Sequence, residues 1–385
     1  MAKFSYFPIS IPEPEFGSKL VDYILEIYAL KSKTNIDQIK GATPQVIFDQ
    51  LREIFHSLES VYSARIEGNH TTIAKYLDSK TSSNRTNSEK ILEIQNIEKC
   101  LAWLESIPTK DLNLNQNLLK NIHSQIVNGL STEGEGDKTP GEYRNIDIQI
   151  GQSEHLPPIL EFVPKLMSEF EEFVTTTHDT KYEPLKLAIC HHRLAWIHPF
   201  GNGNGRTVRV WTYAMLLKYG YIKDRIINPT AVFCGDRVKY YEYLSKGDTG
   251  TKQRQLDWCE YVLAGLCKEF SKIDELNNYQ KTKNLILLPA LEYIYDKGSI
   301  SNLELVILKN SLESKDGIFG AGDINSKVQA YTISRAIKKM LSEQILIKYS
   351  PRKYIINLNH PKIVISIAYQ LEKNRFLSEG VDSIN

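Results

Sequence analysis

Residues 198–209 read His198-Pro199-Phe200-Gly201-Asn202-Gly203-Asn204-Gly205-Arg206-Thr207-Val208-Arg209. Gly201, Gly203 and Gly205 leave the backbone free to curl with its N–H groups pointing inward. An apolar run follows at once (Val210, Trp211, Ala214, Met215, Leu216, Leu217) and stops before Gly220, so the turn opens a helix. The first N–H groups of a helix lack intrahelical partners and the dipole favours negative charge there, which makes such a turn an anion site. Arg206 and Arg209 fall in the first turn or so, where cations oppose the dipole. An anion between them and the N–H groups removes that conflict, and a polyphosphate would serve. His198, one residue beyond an apolar helix and beside the turn, is the natural general base.

The segment fails the standard phosphate and nucleophile patterns. GxxxxGK[ST] is absent, position 206 is Arg where GxGxxG needs Gly, and no central Ser makes a nucleophile elbow. A lone histidine after Trp196 and Ile197 is ordinarily a core residue, and a Gly-Asn-Gly-Asn-Gly turn is ordinarily a loop. Their coincidence with two arginines at helical spacing favours a site.

The elements that must hold this segment are helical. Leu20, Tyr23, Ile24, Ile27 and Leu30 repeat at helical spacing after a Pro-rich lead. Thr43 reads as the N-cap of a second helix with Pro44 at its first position. That helix carries Val46, Ile47, Leu51, Ile54, Phe55, Leu58 and Val61, and should stop at Gly68, a left-handed C-terminal residue. A polar loop is expected over 81–87. Further helices run through Ile91, Ile94, Ile97 and Leu101, through Leu118, Ile122 and Ile126, over 162–173 and over 184–197. A surface loop fills 129–140, and the alternation of Ile146, Ile148 and Ile150 with Asp147 and Gln149 predicts a short strand ending at Gly151. C-terminal to a composition shift near 277–283, a helix over 285–295 ends at Gly298. A later helix starts near Thr332, and two β-like runs, 345–349 and 354–358, are joined by Ser350-Pro351-Arg352-Lys353. That order suggests a winged helix-turn-helix.

Composition bounds the function classes. With 385 residues, two or three domains are expected. Lys+Arg 47 against Asp+Glu 46 leaves a net +1, which argues against a nucleic-acid coat made of the whole chain. From Leu276 onward 15 basic and 10 acidic residues leave 15 − 10 = +5. The five cysteines have no CxxC spacing, which excludes a zinc ribbon or disulfide framework and fits a reducing cytoplasm. No apolar run approaches roughly 18 residues, so no membrane span is expected. Cys190-His191-His192 is no metal site, because adjacent side chains point to different helix faces.

Residues 198–209 resemble the signature of the Fic family, His-x-Phe-x-(Asp/Glu)-Gly-Asn-Gly-Arg-x-x-Arg, at every specified position except Asn202. The resemblance extends over roughly residues 10–270. It implies transfer of AMP from ATP onto a hydroxyl side chain of a target protein, with His198 as the base. Gly203, Asn204 and Gly205 would form the anion cradle, Arg206 would hold the outer phosphates, and magnesium would neutralise the departing pyrophosphate. Asn202 stands where the family carries the metal-holding carboxylate, so an amide oxygen would ligate the ion without adding charge. The phosphoryl-transferring relatives, the Doc toxins, carry Lys where this chain has Gly205, which favours nucleotidyl transfer.

Upstream, Ser63-Ala64-Arg65-Ile66-Glu67-Gly68-Asn69 resembles the family's inhibitory motif, (Ser/Thr)-x-x-x-Glu-(Gly/Asn). Ser63 and Glu67 share one helix face, and a carboxylate in the last turn opposes the dipole and wants a cation. By resemblance that cation is Arg209, and the pair would block placement of the γ-phosphate. In some relatives this glutamate positions water and AMP is removed instead. Residues 140–144 and the strand to Gly151 resemble the target-binding flap, with Ile150 and Gly151 at the nucleotide. Tyr240 and Tyr241 resemble the aromatic pair of the adenine pocket.

The fold expected is mainly α: a Fic-type helical core with a short β-hairpin flap, plus a C-terminal winged helix-turn-helix. Residues 1–95 form the helical region with the inhibitory helix, 96–275 the catalytic core and 276–385 the winged helix-like domain. The partners expected are ATP, magnesium, a hydroxyl-bearing target protein, the chain itself by self-modification, and a second copy in a homodimer. Arg335, Lys338 and Lys339 on the candidate recognition helix, with Arg352 and Lys353 on the wing, would suit DNA phosphates, although winged helices also bind proteins. The alternative reading is an AMP-removing or catalytically weakened protein acting as a nucleotide-responsive DNA- or protein-binding regulator.

Overall fold

The computed structural model describes residues 6–32, 43–81, 88–150, 155–222, 229–276 and 278–377. The expected loop over 82–87 and the candidate site residue Gly151 lie outside them. Among the described residues the chain is helical almost throughout. In the N-terminal half run α1 (Lys19–Ser32), α2 (Gln45–Ile66), α3 (Ile73–Thr81), α4 (Glu89–Ser106), α5 (Gln116–Ile126), α6 (Val163–Thr175) and α7 (Glu183–Ile197). Next come α8 (Asn204–Lys218), the single turn α9 (Ala231–Cys234), α10 (Arg237–Gly247) and α11 (Lys252–Leu276). Beyond them lie α12 (Tyr279–Thr282), a π-helical turn (Lys283–Leu287), α13 (Leu288–Asp296), α14 (Asn302–Glu313), α15 (Ala330–Ser342) and α16 (Pro361–Lys373). Between α15 and α16, β1 (Leu346–Ser350) and β2 (Lys353–Ile356) form an antiparallel hairpin, with Leu346 opposite Ile356. Phe319, from the long α14–α15 connection, adds one bridge to Tyr354.

The helix that carries Ser63 is set by its two ends. The N-terminus falls one residue later than expected. Pro44 is itself the cap residue, in extended conformation, and Thr43 makes no cap. A residue before proline is pushed out of the helical region, and the Thr43 hydroxyl instead donates to the Leu276 carbonyl at 3.4 Å. The C-terminus is as the sequence predicts. Gly68 is left-handed at φ +97°, its N–H donates to the Arg65 carbonyl, and the Asn69 N–H donates to the Ala64 carbonyl. This 6→1 and 5→2 pairing ends the helix at Ile66 and leaves the cap residue Glu67 at the rim.

The buried apolar side chains form one contiguous cluster running from Leu20 to Leu377. Helix α2 is buried along most of its length, packed against α4, α9, α3 and α8. Its Gln50 amide donates to the Ile356 carbonyl (3.0 Å) and accepts from the Leu358 N–H (2.8 Å), so a glutamine side chain extends the hairpin edge onto the helix.

The alternating segment 146–150 makes no strand ladder among the described residues. Side chains satisfy its surroundings instead. Arg144 donates to the Ile146 carbonyl at 3.0 Å, and the Asp147 carboxylate accepts from the Leu160 N–H at 2.7 Å. Ile146 stays 61% exposed, while Ile148 and Ile150 are half-buried. A period of two needs a partner strand before it becomes sheet, and none pairs with it among the described residues. All five cysteines are free, and no helix of the described residues is long and apolar enough to cross a membrane.

Candidate functional site

His198 sits immediately past α7 in left-handed conformation, φ 51° and ψ 60°. Such a backbone costs a non-glycine residue roughly 1–3 kcal/mol and persists only where its surroundings dictate it. Here the His198 N–H closes α7 on the Leu194 carbonyl at 3.1 Å, and the chain must turn at once into the glycine segment. Nδ1 lies 3.2 Å from the Ala195 carbonyl. A hydrogen bond there places the proton on Nδ1, so Nε2 keeps its lone pair. Burial lowers the imidazole to about 4, so near neutral pH the ring is uncharged.

The glycine segment is folded by its own asparagines. Asn204 accepts from the Phe200 N–H (2.9 Å) and donates back to the Phe200 carbonyl (2.9 Å), closing the loop across four residues. Gly203, at φ +70°, caps α8. Helix geometry leaves the N–H groups of Asn204, Gly205 and Arg206 without intrahelical acceptors. The Gly203 N–H differs from what the sequence predicts, since the Asn202 side-chain oxygen already takes it at 2.7 Å.

Arg209 is buried and meets both upstream candidates. It donates to the Ser63 hydroxyl (3.0 Å), the Ser63 carbonyl (3.0 Å) and the Glu67 carboxylate (2.7 Å). Burial alone would raise Glu67, but Arg209, Arg206 and the hydrogen bond to Arg209 together hold it below the usual carboxylate range. The Glu67 carboxylate stands over Gly205, where a Cβ would run into it. It therefore occupies the place at the cradle that an anionic ligand would take. Arg206 is also buried, with Nη1 3.0 Å from Glu93 and Nη2 2.9 Å from the Glu135 carboxylate and 2.8 Å from the Glu135 carbonyl.

These groups open onto a cavity of about 780 Å³ that takes in Glu67, Ile150, His198, Arg209, Tyr240 and Tyr241. Tyr240 is buried with its hydroxyl 3.0 Å from His191 Nε2, and Tyr241 is 43% exposed beside it, ring centroids 5.2 Å apart. The histidines after Cys190 diverge: His191 faces Thr212 and Tyr240, while His192 faces the Leu244 carbonyl and Asp248.

Asn202 as placed does not fit a resident divalent cation. Its amide nitrogen donates to the Gly134 (2.9 Å) and Gly136 (3.1 Å) carbonyls, and its oxygen is spent on Gly203. The nearby Asp137 carboxylate accepts the Asn202 and Thr139 N–H groups, each at 2.9 Å. Among the described residues no group of three or more His, Cys, Asp or Glu side chains is arranged to hold a metal ion.

The braces of the site carry no local mark of that role in the sequence, although Arg144 falls in the segment expected to form the flap. The His123 ring stacks on Phe200 (centroids 3.8 Å, 5° between planes), accepts from the Gly141 N–H and donates to the Asn202 carbonyl. Arg144 is fully buried and donates to the carbonyls of His198, Ile146 and Pro158, while its own N–H donates to the Pro199 carbonyl. Arg144→Ala would orphan the carbonyls of His198, Ile146 and Pro158, and the expected destabilisation is about 3 kcal/mol. It is read as a fall in denaturant midpoint at unchanged m. A loss below about 1 kcal/mol would show that the anchor does not hold the segment.

Residues 113–216 match the family model described as "Fic/DOC family". The protein adenylyltransferase Fic of Drosophila virilis is 26% identical over 194 residues, covering 49% of this chain and 37% of the relative. That of Nematostella vectensis is 27% identical over 197 residues, covering 49% and 42%. The chain thus spans less than half the length of either. A Fic family protein from Desulfovibrio desulfuricans G20 superposes at TM-score 0.52 and 18% identity over 91% of this chain and 98% of that one. A Fic domain containing signaling protein from Bacteroides thetaiotaomicron VPI-5482 gives TM-score 0.50 at 16% identity over 65% and 94%. These two solved structures bear on the fold alone. The histidine, glycine turn and paired arginines all lie within the matched segment, and the chain carries a Fic/DOC family domain.

Proposed function

We propose that the protein transfers AMP from ATP to a hydroxyl side chain of a target protein, and that Glu67 restrains the reaction. The observation that carries this reading is one cavity in which a neutral imidazole, the unsatisfied N–H groups of a helix start and two buried arginines converge. In the step proposed, the target hydroxyl oxygen attacks the α-phosphorus while His198 Nε2 takes its proton. The bond from that phosphorus to the bridging oxygen breaks, pyrophosphate leaves, and AMP remains joined to the target as a phosphodiester. The N–H groups at the start of α8 and the arginines stabilise the charge that gathers on the phosphoryl oxygens. Tyr240 and Tyr241 supply an aromatic wall for the base.

The test is incubation with α-labelled ATP, followed by intact-mass measurement with each nucleoside triphosphate in turn. The Glu67→Gly protein should label itself or a lysate protein, with ATP as the preferred donor. A variant that labels neither would replace this reading with that of a nucleotide-binding regulator.

A further inference from the structure

The loop over 131–137 folds tightly over the glycine segment. The Gly134 and Gly136 N–H groups both donate to the Ser131 carbonyl (3.0 and 2.7 Å), and a Cβ at Gly136 would collide with the Leu130 carbonyl. Two further contacts then fasten the loop to position 202. The Asn202 amide nitrogen bridges the Gly134 and Gly136 carbonyls, and the Asn202 N–H donates to Asp137. Between the two bridged glycines stands Glu135, which meets Arg206 with its carboxylate and its carbonyl together.

We propose that Asn202 is a positioning residue: its amide latches the 131–137 loop shut and thereby sets Glu135 on Arg206, so that Glu135 competes with nucleotide phosphate for that arginine. Three carboxylates then hold the arginines of the anion site: buried Glu93 on Arg206 as a fixed partner, and the more exposed Glu67 on Arg209 and Glu135 on Arg206 as releasable restraints. This rests on the reading of the cavity as a nucleotide site. An amide and a carboxylate behave oppositely at this position. Only a donor can face two carbonyl oxygens at 2.9 and 3.1 Å. Aspartate there would put negative oxygen against both, and the latch would open. The amide that departs from the signature is therefore the residue this loop requires. Glu135 suits a releasable restraint, because its side chain keeps 40% exposure whereas Arg206 and Glu93 are almost wholly buried.

The test compares Asn202→Asp, Glu135→Gln and the double variant, all in the Glu67→Gly background so that the first restraint is absent. ATP affinity is read by calorimetric titration, and opening of the loop by hydrogen exchange over 131–137. Asn202→Asp should speed exchange in the loop about tenfold and tighten ATP binding several-fold. Glu135→Gln should tighten binding to a similar degree with exchange little changed, and the double variant should gain nothing more. In turnover the gain should fall on KM and leave kcat alone. Unchanged ATP affinity in Glu135→Gln would overturn the proposal. So would an Asn202→Asp protein with a loop as protected as before and a lower magnesium requirement, since that is the behaviour of a metal ligand. Should Asn202→Asp fail to fold, Glu135→Gln alone still decides. A protein that binds ATP as expected yet transfers nothing would sink the transfer reading and leave this one standing.

Discussion

His198→Ala is expected to abolish AMP transfer while ATP still binds. The imidazole contributes no charge to the anion site near neutral pH, because burial holds it at about 4. Its removal therefore leaves the α8 N–H groups and both arginines in place, and the ATP dissociation constant should move less than about threefold. Loss of a positioned general base typically costs about 10²–10⁴ in rate. Measured in the Glu67→Gly background, where turnover should be readable, the fall belongs in kcat. The pH profile gives an independent check. A histidine whose folded value lies below its unfolded one is base-competent down to that lower value. Because the Glu67 charge raises the imidazole slightly, the His198-dependent limb of kcat/KM for the free enzyme in this background should appear at about pH 4 or below, not near 6.5. A variant that keeps transfer, or a limb centred near 6.5, would remove His198 from the base role.

What could be read from the sequence depended on how local each signal is. The histidine, the glycine turn and the arginines occupy twelve consecutive positions, so their clustering is legible from spacing alone, and the structure puts the Glu67 that the resemblance pairs with Arg209 2.7 Å from it. Gly68 announced the end of α2 because a left-handed terminal residue is a one-position signal. Helix α14 carried an equally plain mark that went unread, the Ser301 to Glu304 capping box. The segment 146–150 shows the opposite failure. Alternation reports which side chains face inward, while a ladder depends on a partner strand that a local pattern cannot supply. Helices α10 and α11 escaped for a related reason, since aromatics spaced through the start of α10 read equally well as core or as pocket.

The braces were beyond local reading altogether. Nothing near His123 predicts that it will join Gly141 to Asn202, and nothing near Glu93 predicts that one carboxylate will hold Arg206 while accepting from Asn69 at 2.7 Å. In the sequence Asn202 stands out as an oddity, and the resemblance makes it a weakened metal ligand. Its donor role needed the position of a loop some seventy residues upstream. Sequence thus showed which groups could react, and the tertiary contacts showed which of them are already occupied.

Glu67→Gly should raise AMP transfer at least tenfold, equivalent to about 1.4 kcal/mol. Three features point the same way. The carboxylate lies over Gly205 at the start of α8, it holds the Arg209 guanidinium, and it adds negative charge where the proposed reaction needs room for phosphate. Glu67→Gln separates these effects, because it keeps the bulk over the cradle and removes the charge. It should recover part of the gain, and full recovery would assign the restraint to charge alone. Fold loss is a poor rival explanation. Gly68 still ends α2, and Arg209 retains the hydroxyl and carbonyl of Ser63, each at 3.0 Å. Acid should not mimic the mutation. The folded Glu67 lies below its ordinary value because Arg209 and Arg206 outweigh burial, so the pair persists as pH falls through the usual carboxylate range and is lost only below it. Unmutated protein should therefore stay restrained at pH 5. Activation of the unmutated protein on mild acidification would show that the Glu67 proton is gained far more easily than this geometry permits. A Glu67→Gly protein no faster than its parent would mean that the ion pair with Arg209 serves the fold and not the reaction.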